Sequence, residues 1–292
     1  MDLKYIDIHS HVNFKAFDED RDAVIRRALD ADTWVINVGT QIDTSRKAVE
    51  MAHEYEEGVY AIIGLHPIHT GASYHDEKEL GEGGVEFTSR GEIFDKEKYL
   101  ELLRDPKVVA VGECGLDYYR CTPETIQKQK EAFIGQIEIA NEVGKPLMLH
   151  IRNNPNSVHP GLVATPQEGN NPDAYMDALE ILKQYAKVKG DVHFFAGSPD
   201  VARDFVEFGF TLSFTGVVTF THDYDEVIRQ TPIEMIMTET DSPYVSPKPY
   251  RGRRNEPVYV QEITKKIAEI KGLDPEVVAQ TVISNAKRVF KI

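Results

Sequence analysis

The sequence predicts an α/β fold, a single closed (β/α)8 TIM barrel, and three observations carry the prediction. Short apolar runs of strand length alternate with amphipathic stretches about eight times, and such alternation builds a mainly parallel sheet with right-handed crossovers. A barrel of this kind occupies about 250 residues, so one domain over residues 1–292 absorbs the whole chain. A doubly wound sheet is disfavoured because no G-x-G-x-x-G follows the first strand, and Gly81-Glu82-Gly83-Gly84 falls in a loop. There is no P-loop and no G-x-S-x-G elbow either.

The first strand runs from Tyr5 to His11. Strict alternation puts His9 and His11 on one face together with Asp7, leaving Ile8 and Ser10 on the other. Asp18 is the expected cap of a helix over 19–30 with Val24, Ile25, Ala28 and Leu29 on its inner face. Trp34 to Gly39 follows as a buried strand. A helix over 44–56 then turns Ala48, Met51, Ala52 and Tyr55 inward before Gly58 stops it. Val59 to Leu65 is the third strand, ending in Gly64-Leu65-His66-Pro67. Asp95 starts a helix through Tyr99, Leu100 and Leu103, and Val108 to Glu113 is the fourth strand. Thr122-Pro123 opens a long helix closed by Gly144, and Pro146 to Ile151 is the fifth strand. A helix through Ala178, Leu179, Leu182 and Tyr185 leads into the sixth, Asp191 to Ala196. Ser198-Pro199 caps a helix ended by Gly209, and Phe210 to Phe214 is the seventh. A short helical piece around Val227 and Ile228 precedes the eighth, Glu234 to Asp241. Two helices complete the chain, one with Val260, Ile263 and Ile267, the other with Val277, Val278 and Val282. Residues 69–93 and 153–172 lack periodicity and read as excursions above the barrel rim.

With 41% hydrophobic and 28% charged residues the chain is globular, and no apolar run approaches the ~20 residues of a membrane span. Met1-Asp2-Leu3-Lys4 leads straight into a strand without the basic and apolar regions of a signal peptide, which predicts a cytoplasmic protein. Cys114 and Cys121 form no metal-binding framework and suit a reducing compartment. A net charge of −15 excludes a protein that coats duplex DNA through a broad basic face.

A barrel's chemistry sits at the C-terminal ends of its strands. There stand His9 and His11, Glu113, His150, His193 and Asp241, with His66 just after the third strand. Four imidazoles and two carboxylates are too many for one tetrahedral ion with an open position, and they suit two metal ions bridged by a carboxylate and a water. Past the eighth strand, Lys248, Arg251, Arg253 and Arg254 form the densest basic cluster, suited to phosphate. Tyr118 and Tyr119 are candidates for base stacking, with core packing an equal alternative. Glu239 shares a face with Asp241, and Asp7 with His9, which makes both candidates for orienting imidazoles from behind. The loop histidines His69, His75 and His159 read as surface residues.

The ordered set Asp7-Ile8-His9-Ser10-His11, Gly64-Leu65-His66-Pro67, Gly112-Glu113-Cys114-Gly115-Leu116-Asp117, Leu149-His150-Ile151-Arg152, His193, Glu239-Thr240-Asp241-Ser242-Pro243-Tyr244 and Arg253-Arg254-Asn255-Glu256-Pro257 resembles the TatD family of metal-dependent deoxyribonucleases, within the amidohydrolase superfamily. The resemblance covers almost the whole chain. It implies a phosphodiesterase with two divalent ions, magnesium or manganese, with zinc as an alternative. It places His9, His11 and Asp241 on one ion and His150 and His193 on the other. Glu113 bridges the two, Asp241 manages the proton of the attacking water, and a hydroxide generated between the metals attacks. His66, Arg251, Arg253 and Arg254 would contact substrate. The implied substrate is a single-stranded DNA end, degraded 3′ to 5′, with no membrane and no protein partner indicated. Val12-Asn13 departs from the family's usual Leu-Asp after the paired histidines. Hydrolysis of carbonyl esters, lactones, amides or aminoacyl esters on the same barrel stays open as an alternative, and a non-catalytic binding barrel ranks last.

Overall fold

A computed structural model describes residues 3–75, 87–154 and 173–292. Eight parallel strands follow one another around a barrel: β1 (Tyr5–Ser10), β2 (Thr33–Val38), β3 (Val59–Ile63), β6 (Val108–Asp117), β7 (Leu147–Arg152), β8 (Gly190–His193), β9 (Thr211–Phe214) and β10 (Ile236–Thr238). The remaining pair, β4 (Ala72–His75) and β5 (Phe87–Arg90), is antiparallel and belongs to the 69–93 excursion. Closure comes from the chain just past β10. Asp241 N–H donates to the His9 carbonyl at 2.9 Å, His11 N–H donates to that of Ser242 at 2.7 Å, and Ser10 pairs with Ser242.

The helices alternate with the strands as the periodicity predicts: α1 (Arg21–Asp30), α2 (Ile42–His53), α3 (Lys96–Leu103), α4 (Pro123–Val143), α5 (Ala174–Tyr185), α6 (Pro199–Phe208), α7 (Asp225–Gln230), α8 (Val260–Lys271) and α9 (Pro275–Phe290). Odd and even strand positions separate into two cores. Val35, Ala61, Val111, Leu149, Val192 and Leu212 pack outward against the helices. Ile6, Ile8, Ile36, Val38, Ile62, Ala110, Met148 and Met237 fill the interior, where Ile283, Ala286 and Phe290 of α9 close the lower end. Gly190 allows β8 to lie close to β7, since a Cβ there would collide with the carbonyl oxygen of Leu147.

The structure corrects several local expectations. Asp18 does not cap α1. Its carboxylate bridges Arg21 and Lys47 at 2.6 and 3.0 Å, and the helix starts after Asp20. Thr44 lies inside α2, where its hydroxyl completes a reciprocal cap with Gln41. β10 ends at Thr238, so Glu239 and Asp241 stand on the turn beyond it, with Asp241 in a left-handed conformation at φ 55°. Val277 is 56% exposed and contributes nothing to the inner face of α9. His69 is buried rather than superficial. His159 and the side chain of His75 lie outside what is described.

The most consequential correction concerns β1. Ile6 pairs with Trp34 and Asp7 with Val35, but Ser10 pairs with Asn37. Three steps on β1 therefore match two on β2, an extra residue that reverses the side-chain phase. Asp7 thus shares the outward face with Ser10, while His9 joins Ile8 inside.

Candidate metal centre

The carboxylate of Glu113, on the long buried strand β6, is the hub of the rim. His66 Nε2 lies 3.2 Å from it, His150 Nδ1 2.9 Å, His193 Nε2 3.1 Å, His9 Nε2 3.4 Å and His11 Nε2 3.8 Å. Asp241 Oδ1 faces His11 Nε2 at 3.4 Å and His9 Nε2 at 3.9 Å. All six nominated ligands therefore converge. Three groups hold their donor atoms within 4.8 Å of one another: His9, His11 and Asp241; His9, Glu113 and His193; His66, Glu113 and His150.

The outward ring nitrogens decide which lone pairs point inward. His11 Nδ1–H donates to the Val38 carbonyl at 2.9 Å, leaving Nε2 as a lone pair. His150 presents Nδ1 to Glu113 while its Nε2 meets Asp117 Oδ2 at 2.8 Å. Glu239 lies between His193 Nδ1, 3.2 Å from Oε1, and His9 Nδ1, 3.9 Å from Oε2. His66 differs. Its Nδ1 accepts the Ile68 N–H at 3.1 Å, so Nε2 carries the proton and donates toward Glu113. That tautomer makes His66 a donor to the site and not a ligand.

The electrostatics follow from this crowding. Burial favours the neutral acid of Glu113, yet the imidazoles crowded around it, His66, His193, His9 and His150, outweigh burial and hold the carboxyl well below its usual range. Asp241 is likewise lowered, the His11 hydrogen bond and the His193 charge overcoming burial. Burial alone would lower His11, His150 and His193, but their carboxylate neighbours raise all three. His9 is lowered by burial and by the His193 charge, and burial brings His66 down to about 4. Beneath His193, burial and the Glu239 charge push Asp191 up to about 8, against hydrogen bonds from Ser213 and Thr211. His9 Nδ1, His193 Nδ1 and Glu239 Oε2 are buried without an aligned hydrogen bond among the described residues. Such a donor set, rich in lone pairs and negative charge, fits divalent cations.

Asp117 is the functional residue that sequence reasoning passed over. It lies four positions beyond Glu113 on β6, within the quoted motif, and that even spacing was the available signal. Two buried glutamines one heptad apart on α4 fix the flanking loops. Gln129 exchanges hydrogen bonds with the Asp117 backbone, and Gln136 does the same with Leu65 beside His66.

The structure redirects other nominations. Asp7 reaches no imidazole: its carboxylate accepts Thr240 N–H at 2.8 Å, Thr240 Oγ1 at 2.5 Å and His9 N–H at 3.3 Å, bracing the turn that carries Asp241. Arg254 forks onto Asp20 at 2.9 and 2.6 Å, donates to the Ala16 carbonyl and lies over Phe17, joining α1 to the chain past β10. Arg251 lies over Phe220, 4.1 Å from the ring centroid, and Arg253 is exposed. Tyr118 is core, its hydroxyl bonded to Asp177 at 2.7 Å.

Imidazoles held with their lone pairs around shared carboxylates, at the barrel end where substrates enter, define a metal-dependent hydrolase. The chain belongs to the family described as TatD related DNase, whose model matches residues 6–291, and it is thereby a hydrolase acting on ester bonds. It is 36% identical to the uncharacterized metal-dependent hydrolase YabD of Bacillus subtilis over 98% of both chains. It is 30% identical to the 3′-5′ ssDNA/RNA exonuclease TatD of Shigella flexneri, again over 98% of each. Among solved structures, the Escherichia coli TatD homologue YjjV superposes with a TM-score of 0.78 at 24% identity over 100% of both chains, which supports the barrel. Among the described residues, no helix is long and apolar enough to cross a membrane.

Proposed function

We propose that the protein is a divalent-metal phosphodiesterase that removes nucleotides from the 3′ end of single-stranded DNA. The carrying observation is the position of Glu113, shared by the imidazoles on both sides of the rim. His9, His11 and Asp241 would hold one ion, His150 and His193 a second, and Glu113 would serve both. Magnesium and manganese suit the carboxylates, and the imidazoles also accept zinc. Bound cations supply charge neutralisation at the phosphoryl group and acidify water.

The chain's own residues do the rest. Asp241, kept ionised by His11 and His193, accepts the proton of the attacking water. His66 stays neutral and donates its Nε2–H toward Glu113, the carboxylate that both ions would share. Asp117 and Glu239 keep the outward nitrogens protonated, so that lone pairs face inward. The named activity of the Shigella relative supports this substrate class.

The test is degradation of end-labelled single-stranded DNA by metal-loaded protein, beside an EDTA control and Asp241→Asn. Stepwise loss from the 3′ end, absent from both controls, is expected. A folded, metal-loaded protein that leaves DNA intact would sink the reading and turn the search to carbonyl esters.

A further inference from the structure

On β7, two residues beyond His150, an arginine stands one layer above the metal centre. We propose that Arg152, stacked on Tyr119, is the subsite for the phosphate next to the scissile one; this rests on the phosphodiesterase reading above.

Its placement follows from strand geometry. Met148 lies in the barrel interior, and alternation along β7 puts His150 and Arg152 on that same inner face, whereas Ile151 packs outward. Two residues of strand separate Arg152 from His150 by about 6.6 Å, so the arginine stands one layer above the ligand toward solvent. Register agrees: Gly115 pairs with His150 and Asp117 with Arg152. The Tyr118 N–H donates to the Arg152 carbonyl at 2.8 Å, which fixes the strand end.

The side chain is held in a defined plane. Its guanidinium carbon lies 3.9 Å from the centroid of the Tyr119 ring, with Arg120 at 5.6 Å from the same ring. Tyr119 is itself anchored, its N–H donating to Asp117 Oδ1 at 2.9 Å. Stacking uses the π-face of a guanidinium, and its N–H donors lie in the plane, in the fork that matches phosphate oxygens. One carboxylate, Asp117, therefore orients both a metal-facing imidazole and the platform under Arg152. A polyanion entering a rim lined by Glu113, Asp117, Glu239 and Asp241 in a chain of net charge −15 needs local positive charge beyond the ions. Arg152 supplies it one strand layer above His150.

The test compares kcat/KM of the manganese-loaded enzyme for a thymidine dinucleotide with and without a 5′-terminal phosphate. In the wild type the added phosphate should raise kcat/KM about tenfold, as a charge-assisted hydrogen bond would. Arg152→Ala should cut that gain below about threefold, with Arg152→Lys retaining part of it and Tyr119→Leu falling between. A structural role would lower both substrates together and leave the gain intact. A gain that survives Arg152→Ala, or a wild type that shows none, overturns the subsite while leaving the nuclease reading in place. A wild type that hydrolyses neither dinucleotide nor labelled single-stranded DNA overturns both.

Discussion

Replacing Asp117 by Asn tests whether the metal centre depends on charge held behind an imidazole. Asparagine keeps the shape of the side chain and an oxygen to accept the Tyr119 N–H, now received at 2.9 Å. What changes is the contact with His150 Nε2, a charge-assisted bond of 2.8 Å between a partly buried imidazole and a buried carboxylate. The amide has one oxygen, which serves Tyr119, so its NH2 faces the His150 Nε2–H and the charge-assisted bond is lost, at about 1.5 kcal/mol, the low end for such bonds. If that loss falls on the imidazole's readiness to present Nδ1, the affinity of the weaker metal drops about tenfold, the low end for partners behind a ligand. Calorimetric titration of metal-free Asp117→Asn with manganese reads this directly. The melting temperature should move by no more than about 2 °C, since the backbone clamp from Gln129 is retained. Unchanged metal affinity in a well-folded variant would refute the argument, and Asp117 would then be a structural residue only.

Other expectations are quickly checked. Because carboxylates raise His11, His150 and His193, an incoming cation displaces protons below those raised values and meets free lone pairs above them. Metal affinity should therefore rise with pH through and above the ordinary imidazole range, with proton release visible as a dependence of binding heat on buffer ionisation enthalpy; buffer-independent heats would contradict it. Arg254→Ala removes a fork onto Asp20 whose side chains are 32% and 37% exposed, so solvent screening leaves that pair and its packing on Phe17 worth about 1 kcal/mol. The melting temperature should fall by about 2 °C while the salt dependence of DNA hydrolysis keeps its slope; a shallower slope would restore Arg254 as a phosphate ligand. Gly190→Ala forces a methyl group onto the Leu147 carbonyl and should destabilise by about 3 kcal/mol, or prevent soluble expression. A normal denaturation midpoint would show that β7 and β8 can separate. Cys114, fully buried with its thiol pushed up, should react with a disulfide reagent only after unfolding.

The barrel and the six convergent side chains were legible because each depends on local pattern. Alternating runs give the strands, Pro123, Gly144 and Gly209 punctuate helices, and a ligand at the end of a strand is adjacent in sequence to the apolar residues that place it. What was illegible depends on partners far apart. Arg254 reads as free charge until Asp20, more than two hundred residues earlier, is seen to hold it. The donor state of His66 depends on one backbone N–H two residues away, which composition does not reveal. Gln129 and Gln136 look like polar positions on an amphipathic helix, yet both are buried clamps. Strict alternation misplaced Asp7 because the slip in β1 is visible only in the pairing with β2.

That slip makes the paired-histidine motif larger than it looks. Below it, β1 serves the oily floor of the barrel with Ile6 and Ile8; above it, the same strand serves the ions with His9 and His11. Without that slip, unbroken alternation from Ile6 and Ile8 would turn both imidazoles into the helical shell, with every ligand still present in the sequence. Anyone transplanting this motif onto another barrel must carry over the irregularity as well as the letters, because the unit of function here is four residues and one dislocation.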